Sequence, residues 1–295
     1  MNYTAVLICS GLTTLLSMIL TANLINQHRQ NWSNPAQQTN IIKIILLAPI
    51  FAIDSFVGIL ELDKGEIVAH VLDMVKECYE AVVIHAFLML MYNLCGLNSS
   101  SKETKRSLPE GVKGRNLHLP FPMGLYFGPH AHFDHVWVER LRFWTLQFIM
   151  LRPGLSLLDL IFVDIIPNQV SQIISIVIII SLNVSVTTAV YALITFYHGF
   201  EKELAPHRPL AKFVCIKGVV FFAVWQGVAL KLLARWGVLH EGYRFSVDDV
   251  ALAWQDLLIC VEMGLIFCPL NQYAFTASEY RKGGNDVVGT AKKID

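Results

Sequence analysis

Residues 170–197 read VSQIISIVIIISLNVSVTTAVYALITFY, and the run Ile173–Ile180 within them is the most apolar of the chain. A helix needs roughly 20 mostly apolar residues to cross the hydrocarbon core of a bilayer. This stretch has enough. Six others follow the same pattern. Toward the N-terminus they are about 4–25, 41–60, 67–97 and 136–164; toward the C-terminus, about 212–236 and 247–275. The 136–164 stretch is the most mixed, with Arg140, Arg142, Arg152 and Asp159 among Trp and Phe residues, and Pro153 is expected to kink it. The expected fold is therefore an all-α membrane protein of about seven transmembrane helices.

Composition agrees. Of 295 residues, 54% are apolar and 16% charged, and the mean hydropathy is +0.50. Soluble domains are usually about 45–50% apolar and about 25% charged, so the excess must face lipid. The bilayer is thus the first partner. Net charge is zero, which leaves no electrostatic footprint for nucleic acid. Six cysteines (Cys9, Cys78, Cys95, Cys215, Cys260 and Cys268) lie mostly in apolar runs without a C-x-x-C pair, so neither a zinc site nor a disulfide framework is expected. The first stretch has no Lys or Arg before it and is long for a signal peptide, so it reads as an uncleaved span.

Positive charge in short loops sets orientation. Lys102, Lys105, Arg106, Lys113 and Arg115 follow the third span, Lys202 and Arg208 follow the fifth, and Arg281, Lys282, Lys292 and Lys293 lie in the tail. The loop after the second span is acidic, with Glu61, Asp63 and Glu66. The N-terminus is expected outside and the C-terminus in the cytoplasm. The organisation is a transmembrane domain over 1–280, with a cytoplasmic loop near 98–135 that reads as mostly irregular, and a short tail over 281–295. The sequons at Asn31 and Asn98 then face the cytoplasm, the one at Asn183 lies within a span and the one at Asn2 abuts the membrane, so none is expected to carry glycan.

Ionisable residues within a span cost about 2.5–3.5 kcal/mol each on insertion scales, so those present should face a partner or a wet cavity. Asp73, Lys76, Glu77 and Glu80 fall at i, i+3, i+4 and i+7, one face of the third span. This polar stripe is either the outer half of a solute path or a salt-bridged seam. Gln255 and Glu262 share a face of the seventh span, and Pro269 should loosen that helix beyond them. Counting inward, Asp54, Glu80, Arg152 and Glu262 reach similar depth, which suits an ion-pair network or a site for a solute carboxylate; a neutral Glu262 with a raised pKa is a third option. Lys217 lies near the inner end of the sixth span and Gln226 near its middle, on the opposite side. His130, His132, Asp134 and His135 crowd the start of the fourth span in a Gly/Pro-rich segment; they read as a polar interfacial loop, and no metal is expected. No P-loop, Gly-x-Ser-x-Gly, His-Glu-x-x-His or dinucleotide fingerprint occurs, so neither an enzyme nor a cofactor is expected.

Three segments together resemble one family: Lys76-Glu77-Cys78-Tyr79-Glu80-Ala81, then Lys212-Phe213-Val214-Cys215-Ile216-Lys217 leading to Phe222-Ala223-Val224-Trp225-Gln226-Gly227, and Gln255-Asp256-Leu257-Leu258-Ile259-Cys260-Val261-Glu262-Met263. Leu146-Gln147-Phe148 with Arg152-Pro153 is a weaker fourth. Their order is similar to that of the organic solute transporter alpha family, which includes the transmembrane protein 184 group. The resemblance implies seven spans, an outside N-terminus and facilitated movement of amphipathic anions such as bile acids and steroid conjugates. In the animal transporters it also implies a small single-span partner subunit; a homo-oligomer is the other expectation. Two departures place this chain nearer the less characterised branch: it lacks a dense cytoplasmic cysteine run, and its tail is short. On this reading Lys217 or Arg152 attracts a sulfate or carboxylate, Trp225 covers the apolar body, and Glu80, Gln226 and Glu262 line or gate the path. The competing reading is a non-transporting signalling or trafficking scaffold of an endomembrane. Plasma membrane and endomembrane are equally compatible with these residues.

Overall fold

The computed structural model describes residues 3–62, 66–97, 116–118, 130–132, 135–165, 168–205, 208–239 and 246–280. The basic tail, most of the 98–135 loop with its lysines and arginines, and the side chains of Asp73 and Asp159 lie outside the described residues. The elements are α1 (Tyr3–Gln30), α2 (Pro35–Ile45), α3 (Leu47–Glu61), α4 (Glu66–Leu94), β1 (Asn116–His118), β2 (His130–His132), α5 (His135–Ile165), α6 (Asn168–Gly199), the short α7 (Glu201–Leu204), α8 (Pro209–Arg235), α9 (Val247–Glu262), a π-helical turn (Met263–Phe267), α10 (Cys268–Ala274) and a 3₁₀ turn (Ala277–Tyr280). Among the described residues, five helical segments are long and apolar enough to cross a bilayer: Tyr3–Gln30, Pro35–Glu61, Ile173–Gly199, Leu210–Arg235 and Val247–Tyr280. The α4 and α5 helices have the length, at 29 and 31 residues, but carry more charge.

Several helices run past the limits that hydropathy sets, because a helix stops where its backbone is capped and not where lipid ends. The second begins at Pro35, behind an Asn34 side chain that accepts the Gln37 N–H. It is interrupted at Leu46, where Pro49 has no N–H to offer the carbonyl four residues earlier. Ser246 and Asp249 form a capping box at the start of α9. The break near Pro269 falls one turn earlier than the proline itself: the Cys268 N–H reaches back five residues to the Met263 carbonyl and widens the helix into a π turn. Within the 98–135 loop, the described residues form a small antiparallel ladder, Asn116 opposite His132 and His118 opposite His130.

The contacts divide the chain into two units, residues 1–76 with 210–295, and residues 77–209. In the first, α1 packs on α3, α9 and the π turn, and its polarity is inverted. Ser10, Thr14, Ser17 and Thr21 are buried, while Ile8, Leu12, Leu15, Met18 and Ile19 point outward. In lipid there is no hydrophobic drive between helices, so small residues that permit close approach take the interface. Thr14 donates to the Ala52 carbonyl at 3.2 Å, Ser17 lies 3.2 Å from the Cys268 sulfur, and the Cys260 thiol donates to the same Ala52 carbonyl at 3.5 Å. A Cβ at Gly264 would stand 2.7 Å from the Thr13 carbonyl, so that backbone crossing requires glycine.

The second unit is held by α5 against α6 and by aromatic packing. Tyr92 donates to the Val138 carbonyl and stacks on Phe196 at 4.7 Å, and Phe196 stacks on Phe200 at 4.5 Å. Trp144 sits 6.3 Å from both Trp137 and Tyr191. Buried Ala189 and Ala192 give α6 a narrow face for this packing.

Candidate functional site

Three polar pairs stand out within the units. In the first unit, Lys76 at the start of the α4 stripe reaches Asp54 on α3, Nζ to Oδ2 at 2.5 Å, with the side chains only 20% and 11% exposed. The ammonium also lies 5.7 Å from the Phe51 ring. The lysine thus pairs with an acid on another helix. In the second unit, the next residue, Glu77, binds Arg152 of α5. Adjacent residues of α4 are about 100° apart around its axis, so each serves a different neighbour.

The third pair belongs to the first unit. Gln226 of α8 donates its amide N–H to Oε1 of Glu262, the last residue of α9 before the π turn. Gly227 makes this approach possible on α8, since its absent Cβ would meet the Gln255 amide at 3.0 Å. Gln255 in turn donates to the Ala223 carbonyl at 3.3 Å. The face shared by Gln255 and Glu262 is therefore a seam along α8.

The remaining predicted residues fall elsewhere. Lys217 is half-buried on α8, and Glu80 is half-buried on α4 in the second unit. Trp225 is 58% exposed and clusters with Phe221, 5.9 Å away, on the outward side of α8. It is adjacent to Gln226 in sequence but stands outward, whereas Gln226 reaches α9. Among the described residues no group of His, Cys, Asp or Glu is arranged to hold a metal.

Sequence reasoning missed a polar cluster at the end of the first unit. His28 is fully buried and its Nε2 lies 2.8 Å from the Phe275 carbonyl. Gln38 is also buried; it accepts the Ser33 and Asn34 N–H groups and donates to the carbonyls of His28 and Asn31, closing the α1–α2 turn. Tyr280 donates to Gln37 at 3.0 Å, and buried Lys212 lies 3.9 Å from Glu279. The signal was present in the density of Asn and Gln between two apolar stretches, residues 26–40.

The family model described as organic solute transporter Ostalpha matches residues 6–280. The chain belongs to that family. It is also 29% identical over 304 residues to a transmembrane protein 184 homolog of Dictyostelium discoideum, covering 99% of this chain and 57% of that protein. The chain thus spans a little over half the length of this curated relative. No solved structure matches it significantly. Membership of the organic solute transporter alpha family makes this an integral membrane protein of a transporter-type family, and the apolar exterior of α1, α6 and α8 fits that setting.

Proposed function

We propose that the chain moves amphipathic organic solutes, of the steroid- or bile-acid-like anion class, across its membrane by facilitated transport. The observation that carries this reading is the family match over nearly the whole chain. It is supported by ionisable side chains retained on helices that are otherwise apolar, where each costs about 2.5–3.5 kcal/mol. In this reading α4 and α5 also cross the bilayer, which gives seven spans, and the charge distribution puts the N-terminus outside. Within the first unit, Lys217 attracts the anionic end of the solute, and Gln226 and Glu262 line its path. Trp225 and Phe221, facing outward, meet lipid or a small single-span partner subunit.

The test is flux. Purified protein in liposomes should equilibrate a radiolabelled steroid sulfate and a bile acid saturably, over empty vesicles. A charge-assisted contact contributes about 1.5–3 kcal/mol, so Lys217→Ala should lower the flux at limiting solute roughly tenfold or more. Flux unchanged by Lys217→Ala would remove that residue from the site. No flux at all, alone or with co-purified partner, would favour the scaffold reading.

A further inference from the structure

Gln226 and Glu262 present two planar groups with four polar ends, of which only two are joined. The Gln226 Nε2–H group donates to Glu262 Oε1. Gln226 Oε1 and Glu262 Oε2 are both buried and have no hydrogen-bond partner. Two acceptor oxygens left over on facing groups lack one thing, a hydrogen to place between them. A carboxylate leaves both unsatisfied, which is costly for a buried neutral group and more so for a charged one. A protonated carboxyl has an O–H to donate and can complete a two-bond ring with the carboxamide.

Among the described residues no cation pairs with Glu262. The ionisable groups on the helices of this unit include Cys9, His28 and Arg29 on α1, Asp54 and Glu61 on α3, Lys212, Cys215, Lys217, Lys231 and Arg235 on α8, and Asp248, Asp249, Asp256 and Cys260 on α9. Among the described residues Glu262 engages none of them; Gln226 is its single polar partner. The acid also sits at a mechanical joint. The π turn begins at the next residue, and Pro269 and Gly264 follow within two turns. Such turns frequently mark functional positions, because a local change of helical register can move the side chain beside them.

We propose that Glu262 is a proton-binding site, holding a proton on Oε2 that is donated to Gln226 Oε1, so that the membrane interior contains a neutral carboxyl–carboxamide pair. The proton adds to the carboxylate and leaves as a hydronium ion when the pair opens to water; no other bond changes. The pair shares residues with the solute path proposed above, but its protonation can be read without any transport. Difference infrared spectroscopy of the full chain in lipid nanodiscs, wild type against Glu262→Gln, should show at neutral pH the C=O stretch of a protonated carboxylic acid that the variant lacks. Gln226→Leu should retain that band and shift it to higher frequency, as a carboxyl group without its amide partner absorbs. Glu262→Gln, which carries its own amide N–H to the same place, should keep the thermal stability of the wild type. A wild type without the band, or one whose Glu262 appears only as carboxylate at neutral pH, overturns the proposal whether or not the vesicles move solute. A band unaffected by Gln226→Leu overturns the pairing.

Discussion

Lys76 with Asp54, and Gln226 with Glu262, solve the same problem in different ways. Both place a carboxyl group between helices of the first unit. Asp54 has an ammonium at 2.5 Å and an aromatic ring beside that ammonium. Its charge is balanced by a counter-ion on a neighbouring helix. Glu262 has an amide on Oε1, and the pair is left with two unsatisfied oxygens, Glu262 Oε2 and Gln226 Oε1. The first pair is closed and works as a clasp between α3 and α4. The second is incomplete and sits where its helix widens. Buried polarity alone therefore does not mark a functional position; an unfilled hydrogen-bond requirement beside a deformable backbone is the more selective sign.

The comparison can be broken most forcefully at the clasp. Lys76→Met should take the ammonium away from the buried Asp54 carboxylate, and lower stability by about 3–5 kcal/mol, read as a large drop in melting temperature of the solubilised protein. Adding Asp54→Leu should recover most of that loss, since two packed apolar groups replace a buried pair at little cost. If the double variant is no better than the single one, Lys76 acts otherwise than through Asp54. A smaller effect is expected at Arg152, whose partner Glu77 is 41% exposed. Arg152→Met should cost about 1 kcal/mol or less in the same measurement, so a loss matching Lys76→Met would make the two pairs equivalent. The smallest effect belongs to Thr14, whose bond to the Ala52 carbonyl sits in the small-residue seam of α1. Interhelical bonds of this kind average about 0.6 kcal/mol, and Thr14→Val should cost no more than about that. A loss of several kcal/mol would mean that α1 is held by its hydroxyls rather than by close packing.

Much of this arrangement was legible from residue order, and the exceptions are instructive. The stretch around Ile173–Ile180 announces a helix in lipid because nothing else can satisfy the backbone of so long an apolar run. The mixed fourth stretch is helical as expected, and α5 continues through Pro153. The inverted polarity of α1 was hidden, because a hydropathy window averages Ser10, Thr14, Ser17 and Thr21 with the leucines and isoleucines beside them. The stripe on α4 was legible as a face. Its partners were not: spacing along one helix says which residues point together, and Lys76 and Glu77 point at different neighbours.

The sequence by itself determined the solvent of this protein, its helical class, its family and the few places where charge enters apolar helices. Those follow from composition and period, which are local properties of the chain. Tertiary structure alone decided which acid meets which base, that Trp225 turns outward while Gln226 turns to α9, and that Glu262 is left with an amide and no cation. The reason is distance along the chain. Gln226 and Glu262 are 36 residues apart, and Ser17 lies 251 from the Cys268 sulfur it meets. No periodicity spans such separations; only the close approach of helices at residues such as Gly227 and Gly264 brings these groups within bonding distance.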